Sequence, residues 1–259
     1  MDAPIRRSAC ANGGHEPHES SDREFDSLRF QFGTLKTCRG TRRDDGTFDI
    51  QQQWIRLTDP RNAEGAVPYA TTVCPGHGQI HPLDIIKLDL RESCNNPNHP
   101  EDWYFEPSRP WEFIRREDKS CLPKIADNPA TLWFDGAQPD SVRAGYVGQM
   151  KSKPASLCLI QAPGDLDFCF QKKTVPDNDQ PGQAKSKYIR DLTFTHAGHY
   201  HEFSVTDPDF MKRRNIWDRM QDAAQHLRLT NFADIFLCLS LGLEFRGRHY
   251  KICATIFEP

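Results

Sequence analysis

Two groups of side chains have the types and spacing that metal chemistry uses. Cys74-x2-His77 and Cys94-x4-His99 sit in loops rich in Pro, Gly and Asn, and their spacing resembles a Cys2His2 zinc knuckle. The same residues also fit two ordinary loops. His196, His199 and His201 form the second group. Strand alternation would put His199 and His201 on one face, the geometry of a metal pocket, but no Glu follows at a useful spacing. Solvent-facing histidines are the competing reading. The expectation adopted here is no metal and no cofactor.

Covalent catalysis finds no foothold. The chain has no G-x-S-x-G, no P-loop and no dinucleotide glycine fingerprint, and no cysteine sits in a recognisable nucleophile setting. Binding of a single strand needs something simpler, cations for phosphates and flat side chains for bases. The candidates are Trp54 with Arg56, Trp103 with Tyr104, Trp111 with Arg109, and Lys187, Arg190 and Tyr200. Trp54 and Arg56 are two apart, so on a strand they share a face. The other reading of Trp54 is a core residue with Arg56 beside it.

The elements that must position these residues are short strands. Tyr188 to His196 and His199 to Val205 read as a hairpin across Ala197-Gly198, with His199, His201, Phe203 and Val205 on one face. Thr206-Asp207-Pro208 closes it, and Thr58-Asp59-Pro60 closes an earlier strand, Phe48 to Leu57. The repeated corner fits either two related units or common turn chemistry. Leu28 to Cys38 reads as a first strand, and SLCLIQA is expected to pair with DLDFCFQ across Pro163-Gly164. Arg39 to Gly46 and Lys172 to Gln183 read as loops. Asn215 to Arg228 carries Ile216, Met220, Ala223, Ala224 and Leu227 on one stripe and is expected to be a helix. Asp234–Leu241 and Tyr250–Phe257 are the closing strands. The sum is a mainly β chain of two small barrels with one or two helices.

SVTDP, LCLSLG at Leu237–Gly242 and HYKICATIF at His249–Phe257 resemble the second half of the dual-OB domain family. WIRL, HPLDIIKLDL and NHPEDWYFEP supply the match to the first half. The resemblance implies two tandem oligonucleotide/oligosaccharide-binding (OB) barrels in a bacterial protein. It also implies a role in DNA repair or antiviral defence beside an enzyme partner such as a nuclease or helicase. On this reading residues 1–26 are a disordered tail, 27–150 a first OB-like barrel with a connecting segment, and 151–259 a second. The expected function is non-enzymatic binding of single-stranded DNA or RNA. A metal-dependent enzyme using the His or Cys/His cluster, or a protein-interaction module, is the alternative.

Bulk composition constrains these readings. Across 259 residues the apolar share is 37% and mean hydropathy is −0.70, values that suit small units with much surface. No window has the roughly 18 apolar residues of a membrane span, and the first residues lack a secretory apolar region, so a cytoplasmic protein is expected. The nine cysteines are an odd number and scattered, which argues for a reducing compartment. A formal charge of −3 gives nucleic acid no global support. Locally, however, eight basic residues face four acidic ones between Ser141 and Arg190.

If Cys74, His77, Cys94 and His99 held zinc, the purified protein would carry about one equivalent per chain. Elemental analysis is expected to find no stoichiometric metal, and one equivalent would overturn the expectation.

Overall fold

A computed structural model describes residues 25–31, 34–42, 48–62, 65–149, 156–176 and 183–259 of the chain. Residues 1–24 of the expected tail, Phe32, and the segment 150–155 that holds the expected division all lie outside them. Phe25 and Asp26, assigned to the tail by composition, open the first strand.

The first half contains β1 (Phe25–Gln31), β2 (Thr34–Arg42), β3 (Phe48–Thr58), β4 (Val73–Cys74), β5 (Gly78–Gln79), β6 (Asp84–Lys87), β7 (Leu90–Ser93), β8 (Asp102–Phe105) and β9 (Glu112–Arg116). The expected first strand, Leu28 to Cys38, is thus two antiparallel strands. Helix α1 (Leu122–Ile125) leads out of this half. Strand β10 (Ser141–Arg143) and helix α2 (Tyr146–Gln149) follow. The second half contains β11 (Leu157–Gln161), β12 (Asp167–Pro176), β13 (Ala184–His196), β14 (His199–Val205), α3 (Pro208–Arg213), α4 (Ile216–Arg219), β15 (Gln225–Leu227), β16 (Phe236–Phe245) and β17 (Arg248–Phe257). The described chain is mostly strand, as expected, with four short α-helices where one or two were foreseen.

The same connection pattern occurs twice. In the first sheet β1, β2 and β3 form a meander, β3 pairs in parallel with β8, and β8 pairs antiparallel with β7. In the second, β12, β13 and β14 form the meander, β14 pairs in parallel with β17, and β17 pairs antiparallel with β16. Each Thr-Asp-Pro corner follows the third strand of its meander, immediately after the parallel pairing. Asp207 shows what the corner does. Its Oδ1 accepts the Phe210 N–H at 2.9 Å, capping α3 with Pro208 at the first helical position, and its Oδ2 accepts the Ile256 N–H at 2.9 Å. One carboxylate therefore starts a helix and ties it to the last strand.

The β13–β14 and β16–β17 hairpins of the second half each turn on a residue pair with positive φ, Ala197-Gly198 and Arg246-Gly247. Glycine supplies the second position without a Cβ penalty, and the turn twist matches that of the strands. The β13–β14 hairpin has the expected register, His196 opposite His199, with His201, Phe203 and Val205 buried. Strand β12 runs on through the first residues of the expected loop, pairing with β13 as far as Pro176 with Ala184.

Two other expectations fail. Strand β11 pairs with β16 rather than β12; Pro163-Gly164 turns a corner, where the Ala162 N–H reaches the Ile235 carbonyl at 2.8 Å. The expected helix over Asn215 to Arg228 stops at Arg219. Asn215 is left-handed, Met220 is extended, and Gln225 to Leu227 pairs with β12 instead. The ladder groups offered by β12 outweigh a weak helical preference.

The largest core lies in the second half, around Trp133, Phe168, Phe170, Phe194, Phe203 and Phe210. Trp133, Val142 and Val147 of the connecting segment belong to it, and β10 pairs with β17. A smaller core in the first half gathers Ile55, Leu57, Ile86, Phe105 and Trp111. A third cluster joins the halves, with Trp54, Leu122 and Ile125 packed on Leu157, Leu159 and Phe236.

Arg56 locks this junction. Its Nε donates to Asp102 Oδ1 at 2.7 Å and its Nη2 to Glu101 Oε1 at 3.1 Å, both in the first half. Across the junction Nη2 donates to Ser156 Oγ at 2.9 Å and Nη1 to the Leu241 carbonyl at 3.1 Å. The Ser156 hydroxyl in turn donates to Glu101. Replacing Arg56 with Met leaves two buried carboxylates without their cation. We expect a loss of about 3–5 kcal/mol in urea unfolding and little rescue by Lys, which lacks the planar fork. An unchanged midpoint would contradict the lock.

Candidate functional site

Beyond the core of the second half, the β12–β13 ribbon projects with cations and rings on its surface. Residues directly opposite across two strands share a face, so Lys172 and Tyr188 lie together, as do Lys173 and Lys187 on the other side. Arg190 falls on the Tyr188 face by alternation. Helix α4 adds Trp217. The Arg190 guanidinium lies 5.3 Å from the centroid of the Trp217 ring, and Tyr188 meets Trp217 edge to face at 5.8 Å. Lys172 Nζ stands 6.0 Å from the Tyr188 ring, and Arg219 lies 5.1 Å from the ring of the buried Phe170. Tyr188 and Trp217 are each 46% exposed. Exposed rings set among cations are what stacking of bases beside phosphates requires.

The face that carries Lys173 and Lys187 has mixed charge, because Asp191 lies on it by alternation and feels both lysines. Asp191 on β13 and Glu202 on β14 are half-buried, and burial raises both carboxyls above their usual range, with Asp140 raising them further. Tyr200 shares the Glu202 side of β14 and is 53% exposed. A polyanion would meet these carboxyls on the Lys187 face, whereas the Tyr188 face offers cations beside exposed rings.

Of the residues singled out by sequence, Lys187 and Arg190 both lie on this ribbon, on opposite faces. The others lie elsewhere. Trp54 is 7% exposed, and its Nε1 donates to Asp127 Oδ2 at 2.9 Å; the same oxygen accepts the Leu159 N–H at 2.8 Å. Trp54 and Arg56 do share a face, but that face is covered by the second half, so neither is open to a strand. Trp111 is 2% exposed and packs edge to face on Phe105, so it cannot stack on a base. Trp103 is half-buried against the first core, and Tyr104 beside it lies against Cys94. Arg109 is exposed and paired with Asp89 at 2.6 Å. Sequence reasoning missed the partnership of Tyr188, Lys172 and Trp217. Alternation along β12 and β13 carried the signal for the first two. Trp217 was hidden because its segment reads as a helix whose apolar stripe excludes it.

The Cys/His candidates separate. Cys74 is buried in the first core, while His77 stacks on Phe113 at 3.5 Å and lies 3.4 Å from Asp84. Cys94 lies against Tyr104, and His99 is buried at the junction, its Nδ1 2.8 Å from Ser156 Oγ. Among the described residues, the one group with ligand atoms within 4.8 Å of each other is His99, Glu101 and Asp102. Arg56 already occupies its centre. The histidine trio divides as well. His196 contacts the Pro129 carbonyl at 3.1 Å, and His199 is exposed and stacked on Phe134 at 4.2 Å. His201 is buried, with Lys251 Nζ 3.0 Å from its Nδ1. A cation placed there would face that ammonium.

Burial also sets the charge of these groups. Desolvation, with help from Arg56 and His249, lowers the His99 pKa to about 3. Desolvation and then Lys251 lower that of His201 to about 3. Burial brings Lys251 itself down to about 8. Glu101 and Asp102 sit above the usual carboxylate range because burial outweighs the pull of Arg56.

A family model described as a dual OB-containing domain matches residues 38–256. No curated protein matches the chain.

The two buried imidazoles generate a pH prediction. Between pH 6.5 and about 3 each ring is neutral when folded and charged when unfolded. The unfolded state then binds more protons, so stability is lost as the pH falls through that window. Each histidine contributes a slope of up to about 1.4 kcal/mol per pH unit. His201→Gln, which keeps an acceptor for Lys251, should flatten the acid limb by about one proton in urea titrations. An unaltered slope would show that His201 is already charged in the folded chain.

Proposed function

The chain belongs to the dual OB-containing domain family, and from that premise we propose that it holds single-stranded DNA or RNA without catalysing a reaction on it. OB folds pair a β surface with loops to bind oligonucleotides and oligosaccharides. The observation that carries the reading is the ribbon of Tyr188, Trp217, Arg190 and Lys172, with Lys187 on its reverse face. In this reading the chain is two tandem OB-like units, 27–150 with its connecting segment and 151–259. The repeated meander and parallel pairing support two units, while Trp133, Val142 and Val147 of the connecting segment pack in the core of the second.

The protein would act in the bacterial cytoplasm beside a nuclease or helicase, in DNA repair or antiviral defence. The free thiols Cys74, Cys94, Cys121, Cys158, Cys169, Cys238 and Cys253 fit a reducing compartment. No helix among the described residues is long and apolar enough to cross a membrane. The exposed tip of the β16–β17 hairpin, with Leu243 56% and Phe245 57% exposed, favours protein interaction as the second reading.

Fluorescence anisotropy with labelled single strands at several salt concentrations tests the proposal. Affinity should be modest, given a net charge of −3, and fall with salt. Lys187→Glu with Arg190→Glu should flatten the log–log salt slope by about 1.4 or more. Trp217→Ala should cost about 1–3 kcal/mol at every salt concentration and leave the slope unchanged. Absence of binding at low salt would sink the reading and leave protein interaction in its place.

A further inference from the structure

We propose that the ribbon takes two neighbouring bases on rings set nearly at right angles, so that the strand it binds is unstacked and turned at that step. The chain then prefers pyrimidine strands, which stack weakly on themselves, to self-stacked purine runs. The inference rests on the nucleic-acid reading above and names the class of strand that the same surface selects.

The surface contains two pairs of ring and cation. Tyr188 stands with Lys172, whose Nζ is 6.0 Å from the ring centroid. Trp217 stands with Arg190, whose guanidinium is 5.3 Å from its ring centroid. Each pair supplies what one nucleotide needs, a flat apolar face and a cation for its phosphate. Both rings are 46% exposed, so each is open to a base.

The angle between the rings decides which strand fits. Their planes meet at 80° with centroids 5.8 Å apart. The rings contact each other, so neighbouring bases of one strand reach both. Bases laid parallel on the two rings inherit the 80° between them and cannot stack on one another. A strand that is already stacked must open that step before it can bind, and a weakly stacked strand has less to lose.

The chain holds this angle from both sides. Tyr188 and Arg190 are two apart on β13, so they share a face, and Arg190 lies over Trp217. Trp217 follows Ile216, which is fully buried in the core of the second half. Asn215 enters α4 in the left-handed conformation, with φ of 51°. Helix α4 is therefore anchored one residue from its ring.

Oligo-dT and oligo-dA of one length compare a weakly stacked strand with a stacked one at equal charge. Anisotropy titrations of the full chain should show dT bound at least about 3-fold tighter than dA, the low end for one stacking step. Trp217→Ala leaves a single ring, so no step has to open and the two affinities should converge. Circular dichroism tests the unaltered chain directly, even where the variant binds too weakly to titrate. With the protein signal subtracted, a short oligo-dA should lose its stacked-strand spectrum on binding. Equal or tighter binding of dA, a dT preference that survives Trp217→Ala, or an unchanged dA spectrum at saturation would overturn the broken stack while leaving strand binding intact. Failure to bind either oligonucleotide would remove the underlying function and the selection with it.

Discussion

The arrangement of the molecule depends on one guanidinium. Arg56 lies on β3 in register with Asp102 of β8, so the parallel pairing of the first half delivers cation and carboxylate to one point. The second half supplies a hydroxyl at Ser156 and a carbonyl at Leu241. Glu101 and Asp102 are buried deeply enough that burial alone would favour their neutral forms. The five fixed donors of Arg56 satisfy both carboxylates and reach across the junction, which a lysine could not do in one geometry. Because those bonds point in several directions, the halves are held in one relation, and the cleft between them takes its shape from that relation.

A consequence is a division of labour among the basic residues. A guanidinium already engaged by Asp102, Glu101, His99, Ser156 and Leu241 cannot also serve a phosphate, so the binding surface has to be sought where cations stand beside exposed rings. The Tyr188 face of the β12–β13 ribbon meets that description, while Asp191, Glu202 and Asp140 give the Lys187 face a mixed charge. Length contributes as well. Strands that run to Pro176 and from Ala184 carry Lys172, Tyr188 and Arg190 on one side, beyond the packed aromatic core.

Much of this fold was legible because local chemistry and tertiary context agreed. The Ala197-Gly198 turn needs positive φ, the strands beside it alternate with period two, and Asp207 before Pro208 caps the helix that follows it. The Thr-Asp-Pro corner of the first half occupies the place equivalent to that of the second, after the third strand of its meander. What could not be read depended on partners distant in sequence. Period two says that Trp54 and Arg56 share a face; it does not say that the other half covers that face. The helical stripe after Asn215 was real as a pattern, yet Gln225 to Leu227 gained more by completing the edge of β12. Pro163-Gly164 signalled a turn correctly, but only the demands of β16 decide that β11 leaves β12 there.

The central claim, that a single strand lies on the ribbon of the second half, can be examined at residue level. A single-stranded oligonucleotide containing 5-iodouracil, irradiated with the full chain and followed by peptide mass spectrometry, reports which rings touch bases. Adducts at Tyr188 and Trp217 are expected. Adducts at Tyr200 with none at Tyr188 or Trp217 would contradict the account and move the strand to the side of the sheet that carries Glu202.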